Sequence, residues 1–452
     1  MRISIWFRPL IARLSRPRPR RLSQRPAFRP RLEGLEDRLT PSGGLLDPTF
    51  GSGGIVNLPS TTDSGAHDVV VQPDGKIVIA GTSKTSTGAS VMSMERLNPN
   101  GTLDTTFNQT GTVTIPGASD GLTLALQPDG KILIGGDTVV QQRKTKGIYT
   151  YVYEPLVARL NSNGTLDTTF GNNGLSVIAS PGKVEDLAVL TDPAQPGTVT
   201  GIVGAVFCNN FEAIKLTPAG LPDQTFGSGG VAKFANLSGI STSVAVNPLS
   251  GEIYLVGEII SDSAGALAAL SSTGTLDTSF GGGAGYVLAN STQFSDVAVQ
   301  TVSVNGQPVS RVLVAGQSLG QAPAPALVDA YTVGGALDTT FGSGGSFTLT
   351  GVAGGTAQGF ESLVVEADGS IVLGGSEGYG TNYNEMLFGH LTASGVADTS
   401  FGSDGTGFTV VQDGNDSGLF AVAIDPTNGD IVAGGFQVNS VSDAAVIRLT
   451  AP

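Results

Sequence analysis

One tetrad, Asp-x-Thr/Ser-Phe, recurs seven times and limits the folds open to this chain more than any other feature. Its Asp and Phe are Asp47 and Phe50, Asp104 and Phe107, Asp167 and Phe170, Asp223 and Phe226, Asp277 and Phe280, Asp338 and Phe341, and Asp398 and Phe401. Successive phenylalanines stand 54 to 63 residues apart. Such a period means a repeat architecture, in which each unit buries its apolar face against its neighbours.

Each unit carries about four strand signals. In the first complete one, residues 67–72 are a β-branched run and Pro73-Asp74-Gly75 is a turn. KIVIA (76–80) is a second strand ended by Gly81, and residues 92–98 are a third, closed by the hairpin pair Asn100-Gly101. A fourth follows the tetrad near 112–115. The second strand recurs at 131–134, 253–256, 311–314, 370–373 and 430–433, more weakly near 199–203. The third unit departs most, with Thr191-Asp192-Pro193-Ala194-Gln195-Pro196-Gly197 in place of a tight turn. The 65 glycines and 24 prolines among 452 residues exclude a mostly helical protein. A hydrophobic content of 40% excludes a wholly disordered one.

Residues 419–449 supply three strands, and a segment at 54–58 supplies the fourth they lack. A ring needs that complementarity; an open solenoid does not. The expectation is therefore an all-β, seven-bladed β-propeller, closed by an N-terminal strand completing the C-terminal blade and preceded by a disordered basic leader. The domains are 1–42, the leader, and 43–452, the propeller. Within the tetrad the Asp is expected to cap the backbone two residues on, and the Phe to insert between blades. Gly follows the Phe in six copies and Asn108 in the other, residues that both allow a left-handed backbone.

The repeat segments GTLDTTFG, QPDGKIVIAG and RLNPNG resemble the bacterial delta-60 repeat family, and the Asp-Gly turn is similar to that of NHL-type propellers. The resemblance covers nearly all of 43–452; it implies the propeller fold and no particular activity.

Charge divides the chain. Residues 1–38 hold eleven Arg against Glu33, Glu36 and Asp37, a net of +8, while the remainder carries −22. No secretory h-region interrupts the Arg–Pro leader. The segment from Arg31 to Ser42 (RLEGLEDRLTPS) resembles an N-terminal sorting motif of exported and surface proteins in planctomycete bacteria, which implies an extracellular or cell-surface location. No apolar run reaches 18 residues, so no transmembrane segment is expected. The acidic body argues against nucleic acid, leaving only a basic-tail reading of the leader.

Little material exists for catalysis. Cys208 is the one cysteine, His67 and His390 are the two histidines, and G-x-S-x-G at 117–121, 316–320 and 374–378 lacks a strand–elbow–helix context. His390 falls in a slot held elsewhere by Arg96, Arg159, Lys215 and Arg448, where Ala269 and Ala330 also occur, and it is expected to pair with loop carboxylates or solvent. A more suggestive column is Asp68, Thr123, Asp186, Ser243, Asp296, Ser362 and Ala421, with Glu185 and Glu361 beside it. On first strands these residues would ring the channel rim. Oxygen-rich rings suit Ca²⁺ or a polyhydroxylated ligand. The alternative is that they cap strand ends and hold channel water.

The expected function is a noncatalytic, exported scaffold or binding module for protein or glycan, monomeric and without a cofactor unless Ca²⁺ is held. The alternative is a propeller enzyme of lyase or lactonase type, with a divalent metal on Asp68, Asp186 and Asp296.

Overall fold

A computed structural model describes residues 43–452 apart from 59–64, 146–147, 305, 321–323, 353, 380–382, 413–415 and 439–441. The leader and its sorting-type motif lie outside the described residues. Residues from Ser42 onward form one compact unit, and the described strands fold into seven four-stranded antiparallel sheets. Blade 1 runs outward through Asp68–Val71, Ile77–Lys84, Ser90–Leu97 and Thr112–Thr114. The innermost strands of blades 2 to 6 are Gly121–Leu126, Lys183–Asp192, Gly239–Val246, Thr292–Val304 and Thr356–Val365. Blade 7 joins Ser417–Ile424, Ile431–Val438 and Ser442–Leu449 to the outermost strand Ile55–Leu58. Ile55 lies opposite Ile447 and Leu58 opposite Ala444. Each innermost strand touches that of the next blade, and the seventh touches the first. The ring is closed, as the sequence predicts.

Most of the apolar core lies in the seams between blades, and the tetrad explains how. All seven tetrad phenylalanines are fully buried. Phe107, for example, packs among Val78 and Met94 of blade 1 and Ile132 and Leu156 of blade 2. Phe50 joins Val69 and Ile79 of blade 1 to Val432 and Val446 of blade 7. In every copy one oxygen of the Asp accepts the N–H two residues on, at 2.8–3.1 Å. The residue after the Phe has positive φ in all seven copies, including Asn108 at 47°. That left-handed step aims its N–H at a carbonyl across the seam: Gly51 to Asn100, Asn108 to Asn163, Gly171 to Ala219, Gly227 to Thr273, Gly281 to Gly334, Gly342 to Ser394 and Gly402 to Gly43. At least one backbone hydrogen bond thus crosses each seam of the ring.

Two expectations need correction. Gly81 does not end the second strand, which continues to Lys84. It and its counterparts Gly136, Gly257, Gly316, Gly375 and Gly435 sit where the innermost strand presses in. A Cβ on Gly257 would land on the Ile240 carbonyl, and one on Gly316 on that of Gln293. These glycines mark close approach. The irregular segment of the third unit is the end of a long hairpin, Lys183–Asp192 with Gln195–Phe207, whose extra residues enter as register shifts near Leu190 and Thr191.

Candidate functional site

Six innermost strands carry a register shift at the same place, skipping Leu122, Glu185, Thr242, Ser295, Glu361 and Phe420. A bulge sets two successive side chains on one side of a strand instead of opposite sides. Both columns consequently face the axis. His67, Asp68, Leu122, Thr123, Glu185, Asp186, Thr242, Ser243, Ser295, Asp296, Glu361, Ser362, Phe420 and Ala421 line one cavity of about 220 Å³ at the channel mouth. Every rim residue singled out from the sequence is among them. Sequence reasoning missed Thr242, Ser295 and the stacked rings of His67 and Phe420, 5.4 Å apart. The glycine opposite five of the six bulges, with Val206 in the third blade, was the available signal.

An innermost strand has no neighbour toward the axis, so its inward N–H groups need other partners. The rim side chains supply them across the seams. Asp68 accepts the Leu124 N–H at 2.6 Å, Asp186 that of Val244 at 2.8 Å and Asp296 that of Leu363 at 2.8 Å. Ser362 accepts the Val422 N–H at 3.2 Å and Ser243 that of Val297 at 3.3 Å. Ser243 Oγ also lies 2.7 Å from both Asp186 and Asp296. The second column caps strands. Among the described residues no group of three or more His, Cys, Asp or Glu is arranged to hold a metal ion.

The carboxyls are crowded and poorly solvated. Burial, then repulsion from Asp186 despite the Leu124 N–H, pushes Asp68 up to about 7. Burial and Asp186 likewise raise Asp296 to about 7. Burial raises Asp186 and Glu361, and it lifts Glu185 to about 7 against the opposing pull of Lys183. Lys183 sits behind Glu185 on Asp120 (2.6 Å) and Asp137 (3.1 Å). The mouth therefore presents acceptors with modest negative charge at neutral pH. Beyond the aspartates the channel widens into a cavity of about 670 Å³, with Val70, Leu126, Val364, Ala423 and Ile424 on its walls.

The remaining candidates lie elsewhere. His390 bridges Glu366 at 2.8 Å and Asp398 at 2.9 Å, as its place in the basic slot implies. Of the three G-x-S-x-G segments, 374–378 lies within the strand Ile371–Tyr379 and 316–320 runs off the end of Gln307–Ser318. The third, 117–121, joins blades 1 and 2.

Fold and site together define a closed seven-bladed β-propeller with a polar axial mouth. The sequence matches the family model described as a domain of unknown function (DUF5122) beta-propeller at residues 72–107, 127–146 and 147–170. No curated protein matches it. Similar solved structures include hydrazine synthase of Kuenenia stuttgartiensis, at 10% identity and TM-score 0.48, covering 84% of this chain and 94% of that one. The WD40 beta propeller domain of Doa1 has 11% identity and TM-score 0.41 over 88% and 95% of the two chains. A glucose dehydrogenase has 10% identity and TM-score 0.37 over 87% and 99%. Likeness this slight bears on neither activity nor partner.

Proposed function

We propose that this chain is a noncatalytic, exported or cell-surface propeller of the delta-60 repeat type, acting as a scaffold or binding module for protein or glycan. Its ligand would be held at the channel mouth. The carrying observation is the convergence of two columns from seven blades on one polar cavity. A volume of about 220 Å³ is below the usual range for drug-sized ligands. It suits one sugar ring or one side chain at the tip of a larger partner. The lining is rich in acceptors, so the ligand must bring donors: glycan hydroxyls, or the N–H groups of a protein.

The noncatalytic reading is supported by the hydrogen bonds of Asp68, Asp186 and Asp296, which are committed to capping neighbouring blades. The location rests on the segment from Arg31 to Ser42, and no helix among the described residues is long and apolar enough to cross a membrane.

The test is a glycan panel and a set of surface-protein ectodomains probed with the full chain and with Glu185→Gln/Glu361→Gln. These two glutamates sit at bulges and leave the aspartate caps intact. Binding lost in the double variant, with unchanged thermal unfolding, supports the reading. Binding retained places the interaction elsewhere. A rise in unfolding temperature with Ca²⁺ that disappears in Asp186→Asn would favour the metal-dependent enzyme instead.

A further inference from the structure

In six blades the second oxygen of the tetrad Asp meets a cation. Arg448, Arg96, Arg159 and Arg311 serve Asp47, Asp104, Asp167 and Asp338 at 2.6–2.8 Å through Nε. Lys215 serves Asp223 at 3.1 Å, and His390 serves Asp398. Blade 4 breaks the pattern. Ala269 occupies its basic slot, and the cross-strand partner is Tyr254, where blades 1, 2 and 3 have Val78, Leu133 and Val203. The tyrosine ring fills the space of the missing base and packs 6.0 Å from Phe280, much as guanidinium groups cover Phe50, Phe107 and Phe170. Blade 5 also has Ala in the slot, but there Arg311, two residues before the slot's cross-strand partner Leu313, reaches in. In blade 4 that same position holds Glu252.

Two carboxyl groups thus meet where the other repeats pair a carboxylate with a base. The Tyr254 hydroxyl donates to Glu252 Oε2 at 2.6 Å, and the Glu252 carboxyl lies within hydrogen-bonding reach of Asp277. Asp277 in turn accepts the Ser279 N–H at 2.9 Å. Since Tyr254 donates to Glu252, a hydrogen bond between two carboxyls requires a proton on one of them.

We propose that a proton does in blade 4 what a base does in the other six, making the seam between blades 4 and 5 a pH-sensitive joint of the ring. The proton belongs on Glu252. Burial and the neighbouring Asp277 raise that carboxyl, although the Tyr254 hydroxyl opposes them, while the Ser279 N–H and Glu252 lower Asp277. The other groups facing the trio are Asn247, from the adjoining turn, and Ser250, whose hydroxyl accepts the Glu252 N–H at 3.3 Å. Among the described residues no lysine, arginine or histidine raises or lowers either carboxyl. Lys215 of blade 3, which reaches this loop at the Ser272 carbonyl, is held by Asp223.

Linkage fixes the direction of the response. A carboxyl raised in the folded state contributes stability at low pH that is lost as pH climbs through its folded value. Once Glu252 ionises, two carboxylates repel and the loop at 271–285 loses that link, keeping the buried Phe280 and backbone ties such as Gly281 N–H to the Gly334 carbonyl at 3.0 Å.

The experiment is amide hydrogen exchange on the full chain at pH 4 and pH 9, corrected for intrinsic rates, comparing 271–285 with the equivalent loops of the other blades. The proposal expects 271–285 to lose protection at pH 9, while the Arg- and Lys-held loops do not. The blade 6 loop, held by His390, loses protection as well. Glu252→Gln offers a permanent donor to Asp277 and an acceptor to Tyr254, so it should cancel the blade 4 response and leave that of blade 6. A blade 4 loop that tracks the arginine-held loops overturns the proposal. So does a Glu252→Gln variant that responds like the parent chain.

Discussion

Arg96 shows what a single side chain of the repeat holds together. Its Nε donates to Asp104 at 2.8 Å, and one terminal nitrogen donates to Gln72 at 3.1 Å and to the Ser162 carbonyl of the next blade at 2.5 Å. The guanidinium carbon lies 4.5 Å from the centre of the Phe107 ring. Arg159, Lys215, Arg311 and Arg448 make the same reach, to Pro218, Ser272, Ala393 and Pro99. Arg96→Ala would leave the buried Asp104 carboxylate without this partner, a loss typically worth about 3–5 kcal/mol; the nearby Lys76, at 3.2 Å, should moderate it. Urea unfolding measures the result. His390 adds a titratable version of this tie. Burial alone would lower its pKa, but Glu366 and Asp398 raise it. Its contribution is complete below the ordinary imidazole value and falls as pH rises through the raised one. Asp68 and Asp296, raised to about 7, lose stability over the window from about 4 to 7, in the same direction. The unfolding temperature should therefore decline from pH 5 to pH 8. His390→Arg should flatten the upper part of that decline and leave the lower part.

At the scale of strands and turns, the governing feature is the bulge on the innermost strand. It turns two columns toward the axis, and in five of the six bulged blades a carbonyl of this strand presses on a glycine of the second strand, where a Cβ would collide; the third blade has Val206 at that place. Gly257→Ala should cost about 1–3 kcal/mol through this collision, since added atoms in a packed interior displace their neighbours. Its φ lies outside the left-handed region, so strain there is not the cause. Thermal unfolding beside Gly251→Ala separates the two effects, because a Cβ at Gly251 meets nothing and only its positive φ of 75° matters. Strand count, turn positions and the tetrad's Asx turn were legible because each depends on residues close in sequence. The bulge was not, because a one-residue slip exists only relative to a partner strand. Nor were the ties from Arg96 to Ser162 or from Asp186 to Val244, which join residues 66 and 58 positions apart. The column from Asp68 to Ala421 could be read as facing the axis. Capping of strand ends was one of the two readings it allowed, but which N–H groups it caps could not be read, since those appear only when the blades come together.

Across the whole molecule, the ring depends on the chain's first described strand completing its last blade. The closing tie repeats those inside the ring: Arg448 binds Asp47 through Nε at 2.8 Å and donates to the Pro99 carbonyl. Phe50 is buried between blades 7 and 1. The outer edges are short, three to five residues each, which limits strand addition by other chains. Circular closure also brings the mouth residues of all seven blades around one axis, so the site and the fold stand together. The most direct test places cysteines at Ile55 and Ile447, opposite one another in the closing pair, in a chain carrying Cys208→Ser. Directly opposed residues of an antiparallel pair lie within disulfide reach. Under mild oxidation the closed ring predicts an intramolecular disulfide in the monomer, with a raised unfolding temperature. Thiols that stay free, or that link only between molecules, would contradict it.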